Sequence, residues 1–363
     1  MKILILNWMD IKNPQRGGAE LYTWEICKRL IKDGNSVTFL TSRFAYCKET
    51  EFINGINIIR LGSIMTFFIR AFFWVKSNKN RFDLCIETIN GLPFMLPLIL
   101  RNCRHKIIIF HLPTFRATSL KLPIIGPFEF MLSRWILKVL YRNKNIVTDS
   151  LSSKSELEKI GLKNIIIAED GLDSNRPELY DPNRKELNAV ILGPLKPWKR
   201  IEHGIIAFTF LKPPWKLEII GGGKKRYIKK LNKVVDTLNL RDRVTFYGFI
   251  TEEEKNNIIK RSLLNIITSE KEGFSLTAIE CARHGSVSVA YNVPGVRDAV
   301  KPNITSILVD DGNVKKLGRE LYLLSQDTKR LYKMSKAAFE FSNMFTWDLT
   351  YRKLIPLIGE LDP

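Results

Sequence analysis

The sequence predicts an α/β protein made of two domains of the nucleotide-binding type, and three observations carry that prediction. The chain has 363 residues, more than one hydrophobic core usually supports at about 150 residues per domain. Runs rich in Ile, Val and Phe alternate with helix-period segments almost from end to end, the pattern of parallel sheets covered by helices. Near the middle, Leu172-Asp173-Ser174-Asn175-Arg176-Pro177 and the polar stretch to Glu186 carry two prolines and no periodicity. That stretch predicts a hinge over 173–186 between domains over 1–172 and 187–345. The remaining segment, 346–363, is expected to be a C-terminal helix that packs back on the first domain.

In the first domain the strand candidates are Lys2–Asn7, Ser36–Ser42, Asn57–Leu61, Leu84–Thr88, Lys106–Phe110 and Ile146–Thr148. The clearest helix runs from about Ala19 to Lys32, with Leu21, Trp24, Ile26, Cys27 and Leu30 facing inward and Gly34 placed to stop it. In the second domain the strand candidates are Ala189–Leu192, Leu217–Ile220, Val244–Tyr247, Leu264–Thr268, Ser286–Ala290 and Ser306–Val309, with helix candidates over Tyr227–Leu238 and Glu252–Arg261.

Composition narrows the class. Ordinary apolar and charged fractions and the absence of a fixed-period repeat exclude disordered, fibrous and solenoid chains. Five scattered cysteines, Cys27, Cys47, Cys85, Cys103 and Cys281, form no C-x-x-C cluster and suit reduced thiols in a cytoplasmic protein. The apolar run from Met1 stops at Asp10, too soon for a secretory leader, and predicts a first strand. A net charge of +20 attracts phosphate-bearing partners: nucleotides, nucleic acid or anionic lipid.

Two apolar stretches, Ser63 to Val75 and Leu122 to Tyr141, are too interrupted by charge or proline to span a bilayer. The first holds Phe67, Phe68, Phe72, Phe73 and Trp74 around Arg70, with Lys76 and Lys79 following. The second interleaves Phe130, Leu132, Trp135 and Ile136 with Arg134, Lys138, Arg142 and Lys144. Aromatics flanked by cations suit peripheral attachment to an anionic membrane surface; ordinary helices packed on a sheet with solvated basic residues fit the same letters.

Three segments are suited to hold a phosphate or a sugar. Gly17-Gly18 falls between the first strand and the first long helix, where backbone N–H groups can approach an anion; the spacing is not G-x-G-x-x-G, and a plain turn is the commoner reason for such a pair. Gly221-Gly222-Gly223-Lys224 follows a strand but lacks the earlier glycine and the Ser/Thr of a P-loop. In Glu270-Lys271-Glu272-Gly273-Phe274-Ser275-Leu276-Thr277-Ala278-Ile279-Glu280 a strand ends just before and a helix is expected to start near Ser275, a favourable N-cap, and to end before Gly285. Glu272 then sits in the loop at the carboxyl end of a strand, where open α/β sheets bind ligands. Glu280 projects from within the helix, and the N–H groups of Phe274, Ser275 and Leu276 are expected to face a diphosphate. On spacing alone, a helix-start glutamate and a solvated one read as well.

These words continue along the chain. Asn13-Pro14-Gln15-Arg16-Gly17-Gly18-Ala19-Glu20, Glu169-Asp170-Gly171-Leu172-Asp173, and Leu192-Gly193-Pro194-Leu195-Lys196-Pro197-Trp198-Lys199-Arg200 are followed by Ile219-Ile220-Gly221-Gly222-Gly223, Phe246-Tyr247-Gly248, the Glu272–Glu280 element, and Val293-Pro294-Gly295-Val296-Arg297-Asp298. In order and spacing the chain resembles a family 4 glycosyltransferase of the GT-B fold, two Rossmann-like domains facing each other across a cleft. The resemblance implies transfer of a hexose-type sugar from a nucleotide-sugar donor (UDP-, GDP- or ADP-linked) to a glycan or lipid-linked acceptor. It further implies retention of anomeric configuration and neither cofactor nor metal. No D-x-D triplet is present.

By the same resemblance Glu272 meets the donor sugar, Glu280 the ribose, Lys199 a donor phosphate and His111 the sugar, with Gly17, Gly18 and Gly221 beside the diphosphate. One position departs from the family: Pro194 stands where members carry an arginine. Lys196 or Arg200 is the candidate replacement, although Lys lacks the bidentate guanidinium geometry.

Three other classes compete. A nucleotide-sugar epimerase shares the fold and converts donor without acceptor. A nucleic-acid-binding protein would suit the charge, but the basic residues are scattered and no zinc or RNP spacing accompanies them, so nucleic acid is not an expected partner. A nicotinamide-dependent oxidoreductase lacks its G-x-G-x-x-G.

Overall fold

The computed structural model describes residues 1–90, 93–100, 105–110, 125–172 and 180–359. The chain divides into two compact units, one of Met1–Gly171 with Thr346–Pro363 and the other of Leu172–Phe345.

The first unit contains β1 (Lys2–Leu6), α1 (Gly18–Lys32), β2 (Ser36–Thr41), β3 (Thr50–Ile53), β4 (Ile56–Arg60), α2 (Phe67–Asn78), β5 (Leu84–Ile89), α3 (Leu96–Ile99), β6 (His105–Phe110), α4 (Ile125–Leu140), β7 (Asn145–Thr148), α5 (Leu151–Ile160) and β8 (Ile165–Ile167). Its sheet runs β3-β4-β2-β1-β5-β6-β7-β8, parallel except for β3 against β4. Strands covered on both faces read as near-continuous apolar runs, as does Ile3–Leu6 of β1, buried throughout. Two strands escape such a reading. β8 is only three residues long, and β3 is a half-buried edge strand. The signal for β3 lies in Asn54-Gly55, whose positive φ values of 49° and 82° close a two-residue hairpin onto β4.

The second unit contains β9 (Glu186–Leu192), α6 (Ile201–Phe208), β10 (Lys216–Ile220), α7 (Lys225–Thr237), β11 (Val244–Gly248), α8 (Glu252–Arg261), β12 (Ser262–Ile267), α9 (Leu276–Arg283), β13 (Val287–Tyr291), β14 (Ser306–Val309), α10 (Val314–Gln326) and α11 (Thr328–Phe341). All of its strand pairs are parallel, in the order β11-β10-β9-β12-β13-β14. The chain thus winds outward from β9 in one direction and, from β12, in the other. Between β9 and β12 the order reverses, and loops leaving the carboxyl ends of those two strands diverge around a crevice. β9 opens at Glu186, so part of the polar stretch expected as hinge enters the sheet.

A last helix, α12 (Trp347–Gly359), packs on α1 within the first unit. Trp347 is buried and meets the Tyr22 ring edge-on at 5.7 Å. Thr350 Oγ1 donates to the Glu169 carbonyl at 2.7 Å, the Tyr351 hydroxyl donates to Asp33 at 2.7 Å, and Arg29 pairs with Asp348 at 2.8 Å. Among the described residues no helix is long and apolar enough to cross a membrane.

The α12 contacts predict that Trp347→Ala costs about 3–5 kcal/mol, the usual range for emptying a buried aromatic site. Denaturant unfolding should show a lower midpoint for the first unit; a loss of only a few tenths would contradict this packing account.

Candidate active site

The crevice of the second unit is built from the loops after β9 and β12. After β9 the chain turns through Gly193 and Pro194, then a single 3-10 turn, Pro197–Lys199, delivers Lys199 against the β12 loop. Lys199 Nζ lies 2.5 Å from Glu272 Oε1, with 9% and 11% of the two side chains exposed. The ammonium also sits 4.9 Å from the centre of the Trp198 ring. A β-carbon at Gly193 would come within 3.7 Å of Lys199 Nζ and 3.6 Å of Thr277 Cγ2, so the end of β9, the lysine and the start of α9 converge.

Backbone contacts hold Glu272 in this position. The Glu270 N–H donates to the Trp198 carbonyl at 2.9 Å and the Glu272 N–H to the Pro294 carbonyl at 3.0 Å. Gly295 has φ of +80°, and a β-carbon there would lie 2.3 Å from the Glu272 carbonyl oxygen. Only glycine permits both the left-handed backbone and that approach.

The start of α9 differs in detail from the expected phosphate cradle. Ser275 occupies the N-cap, but its hydroxyl makes no cap bond and lies 3.3 Å from the Thr277 hydroxyl. The Ser275 N–H donates to the Gly295 carbonyl at 3.1 Å and the Leu276 N–H to the Phe274 carbonyl at 3.0 Å. Two of the three expected donors are therefore already used. In the first turn of α9, the Thr277 N–H has no backbone acceptor among the described residues. Phe274 is buried against Phe345, ring centres 5.5 Å apart, which makes it a packing residue. Glu280 lies on the same face of α9 as Thr277, three residues on; its side chain is 27% exposed and Oε1 accepts from Lys255 Nζ at 2.8 Å.

Arg200 is engaged by neighbouring groups of the second unit. Its Nε donates to the Thr268 carbonyl at 2.9 Å and its Nη2 to the Ser269 carbonyl at 3.0 Å. The same guanidinium pairs with Asp311 and lies 4.9 Å from the centre of the Tyr291 ring. Thr268 returns the contact, its hydroxyl donating to the carbonyls of Lys199 and Arg200 at 2.9 Å each. Arg200 therefore clamps the two crevice loops together. Gly221 also serves backbone packing: its N–H donates to the Gly248 carbonyl at 2.9 Å, and a β-carbon would lie 2.0 Å from the Gly193 carbonyl oxygen.

In the first unit the loops after β1 and β5 flank the corresponding reversal of strand order. Gly17 caps α1, and its N–H donates to Glu20 Oε2 at 2.7 Å, so that donor is taken; Gly18 opens the helix. Glu20 is buried, and its other oxygen accepts from Asn90 Nδ2 at 3.0 Å, tying the two loops together. His111 lies outside the described residues. The sequence reading missed Glu20, Asn90 and Lys255. Glu20 three residues after Gly17, accepting from its N–H, and the reciprocal Thr251/Glu254 capping box were the available signals for where those helices start, but neither signal names a partner across the fold.

Residues 177–341 match the family described as Glycosyl transferases group 1. The poly(glycerol-phosphate) alpha-glucosyltransferase of Bacillus subtilis is 26% identical over 174 residues, 47% of this chain and 25% of that protein. The chain thus spans about a quarter of the length of the first curated relatives it matches. Among solved structures, the sucrose-phosphate synthase of Thermosynechococcus elongatus superposes with a TM-score of 0.79 at 17% identity, covering 99% of this chain and 98% of the other. Anabaena HepE, solved with UDP and glucose, gives 0.77 at 18% identity, covering 99% and 100%. The chain has the GT-B fold of these solved structures, and residues 177–341, nearly all of them in its second unit, match the glycosyl transferases group 1 model.

Proposed function

We propose that this protein is a retaining, metal-independent glycosyltransferase that moves a hexose from a nucleotide-sugar donor to a glycan or lipid-linked acceptor. The observation that carries the proposal is the Lys199–Glu272 pair at the reversal of strand order, beside the first turn of α9. An ammonium has three N–H donors, and Glu272 takes one of them. Breaking the bond between sugar and phosphate develops negative charge on the leaving diphosphate, which a preorganised cation and a helix N-terminus stabilise. Glu272 accepts hydrogen bonds from sugar hydroxyls and so fixes the anomeric carbon over that phosphate. Glu280, further along the same face, accepts from the ribose. The UDP held by Anabaena HepE supports a uridine donor, and the glycerol-phosphate acceptor named for the Bacillus subtilis relative suits a chain of net charge +20.

Peripheral membrane attachment belongs to the same proposal, with its surface redrawn. α2 is largely a core helix: Phe67 is buried, Phe68, Phe72 and Trp74 pack on the core, and of those five aromatics only Phe73 is exposed. α4 presents the better face. Met131, Trp135 and Val139, four residues apart, are 70%, 62% and 55% exposed, whereas Ile136 and Leu137 are buried. Arg134, Lys138 and Arg142 follow at the same spacing. The side chains of Phe130 and Leu132 lie outside those described.

Glu272→Gln should lower turnover by at least about a hundredfold, as misorientation of a reacting centre does, with the fold retained; near-native turnover would sink the assignment. Lys199→Ala should lower turnover by about a hundred- to a thousandfold while donor affinity changes far less, because the charge it meets grows toward the transition state. An effect confined to donor affinity would contradict that role. For the membrane, flotation with anionic vesicles should succeed at low salt, weaken as salt rises, and drop when Arg134, Lys138 and Arg142 are neutralised together. No flotation at low salt rejects the attachment.

A further inference from the structure

We propose that Lys255 is a positioning residue of the nucleotide site, holding one oxygen of the Glu280 carboxylate so that the other is presented to the ribose. This rests on the reading of Glu280 as the ribose-facing carboxylate.

Lys255 lies on α8, and its side chain is only 14% exposed. Its Nζ sits 2.8 Å from Glu280 Oε1 and 2.7 Å from Glu252 Oε2. Glu252 is 83% exposed, one turn back on the same helix, a solvated partner that costs little to rearrange. Glu280 belongs to a different helix and is the partner that draws the lysine inward. Both helices are fixed. α8 begins with the Thr251/Glu254 capping box, and its Ile258 and Ile259 pack in one apolar cluster with Cys281, the residue next to Glu280. Burial alone would lower the pKa of the lysine, but Glu280 and Glu252 outweigh it and hold the ammonium above its ordinary value, so Lys255 is charged at neutral pH.

The arrangement has two consequences for a ligand. A carboxylate accepts at both oxygens; Lys255 occupies Oε1, and Oε2 has no hydrogen-bond partner among the described residues. A fixed rotamer means the ribose hydroxyls meet an acceptor already oriented, which removes an ordering cost from binding. The lysine also balances a negative charge that would otherwise lie on the same helix face as the diphosphate site and repel it.

The test uses calorimetry with whichever of UDP, GDP and ADP binds the wild type most tightly, and with its dideoxyribose counterpart, which lacks both ribose hydroxyls. Lys255→Met should weaken the ribonucleotide roughly tenfold, the scale of a charge-assisted hydrogen bond, and leave the dideoxy affinity unchanged. Lys255→Arg should restore most of the loss. In a Glu280→Gln background, Lys255→Met should have no further effect. Should Lys255→Met lower the melting temperature, Lys255→Gln, which keeps a donor without charge, replaces it in the same comparison. Equal weakening of both nucleotides, or no weakening of either, overturns the proposal. If Glu280→Gln removes the preference for ribose and Lys255→Met does not, the Lys255 role fails and the ribose reading stands. If Glu280→Gln leaves that preference intact, or no nucleoside diphosphate binds the wild type, the ribose reading itself fails.

Discussion

A nearly buried cation and carboxylate in contact, 73 residues apart in sequence, set the character of this molecule's candidate site. Lys199 and Glu272 can meet only where the strand order reverses, because elsewhere in a parallel sheet consecutive loops are carried away on the same side. Bringing both charges out of water is costly, and removing either one leaves the other stranded. The surroundings have to hold the pair in register. Arg200 donates to the Thr268 and Ser269 carbonyls, the Thr268 hydroxyl donates back to the carbonyls of Lys199 and Arg200, and the Gly295 backbone presses against Glu272 where no side chain fits. The cost of assembling the pair is met by scaffolding around it, which is how a preorganised electrostatic site is built.

That scaffolding explains why residues of similar type have different work. Lys199 and Arg200 are adjacent cations, yet one enters the crevice and the other turns away to bind carbonyls, Asp311 and the Tyr291 face. Arg200 has a positive φ of 48°, which reverses the chain between the 3-10 turn and α6 and separates the two side chains. Gly221 and Gly193 are likewise a matched pair of backbones in close contact, with no spare N–H on Gly221. With Arg200 engaged elsewhere, Lys199 is the cation in direct contact with Glu272 among the described residues.

Much of this was legible in the sequence, and the rest was not for physical reasons. Most strands of the two sheets could be read to within a few residues because burial on two faces leaves apolar runs, as in Ile3–Leu6 of β1, whereas β8, three residues long, offered too short a run. β3 failed that test because an edge strand alternates, although Asn54-Gly55 announced its turn. Glu272 and Glu280 drew notice by their spacing and Lys199 by the family resemblance, but their partners did not. Whether Glu280 meets Lys255, or Arg200 meets Thr268, depends on which loops the topology sets side by side. The α2 aromatics show the same limit: Phe67, Ala71 and Val75 at helical spacing take the core side and leave Phe73 outside, and an aromatic-rich run alone does not say which face is buried.

In the proposed function the Lys199 ammonium, held by Glu272, meets the donor's diphosphate. Phosphorus NMR of a nucleoside diphosphate titrated with protein tests it most directly. Wild type should shift or broaden the resonance of the terminal phosphate more than the inner one. Lys199→Met should abolish that selective change while the nucleotide still binds through its ribose. Identical phosphorus spectra with wild type and Lys199→Met, at equal occupancy, would contradict the account.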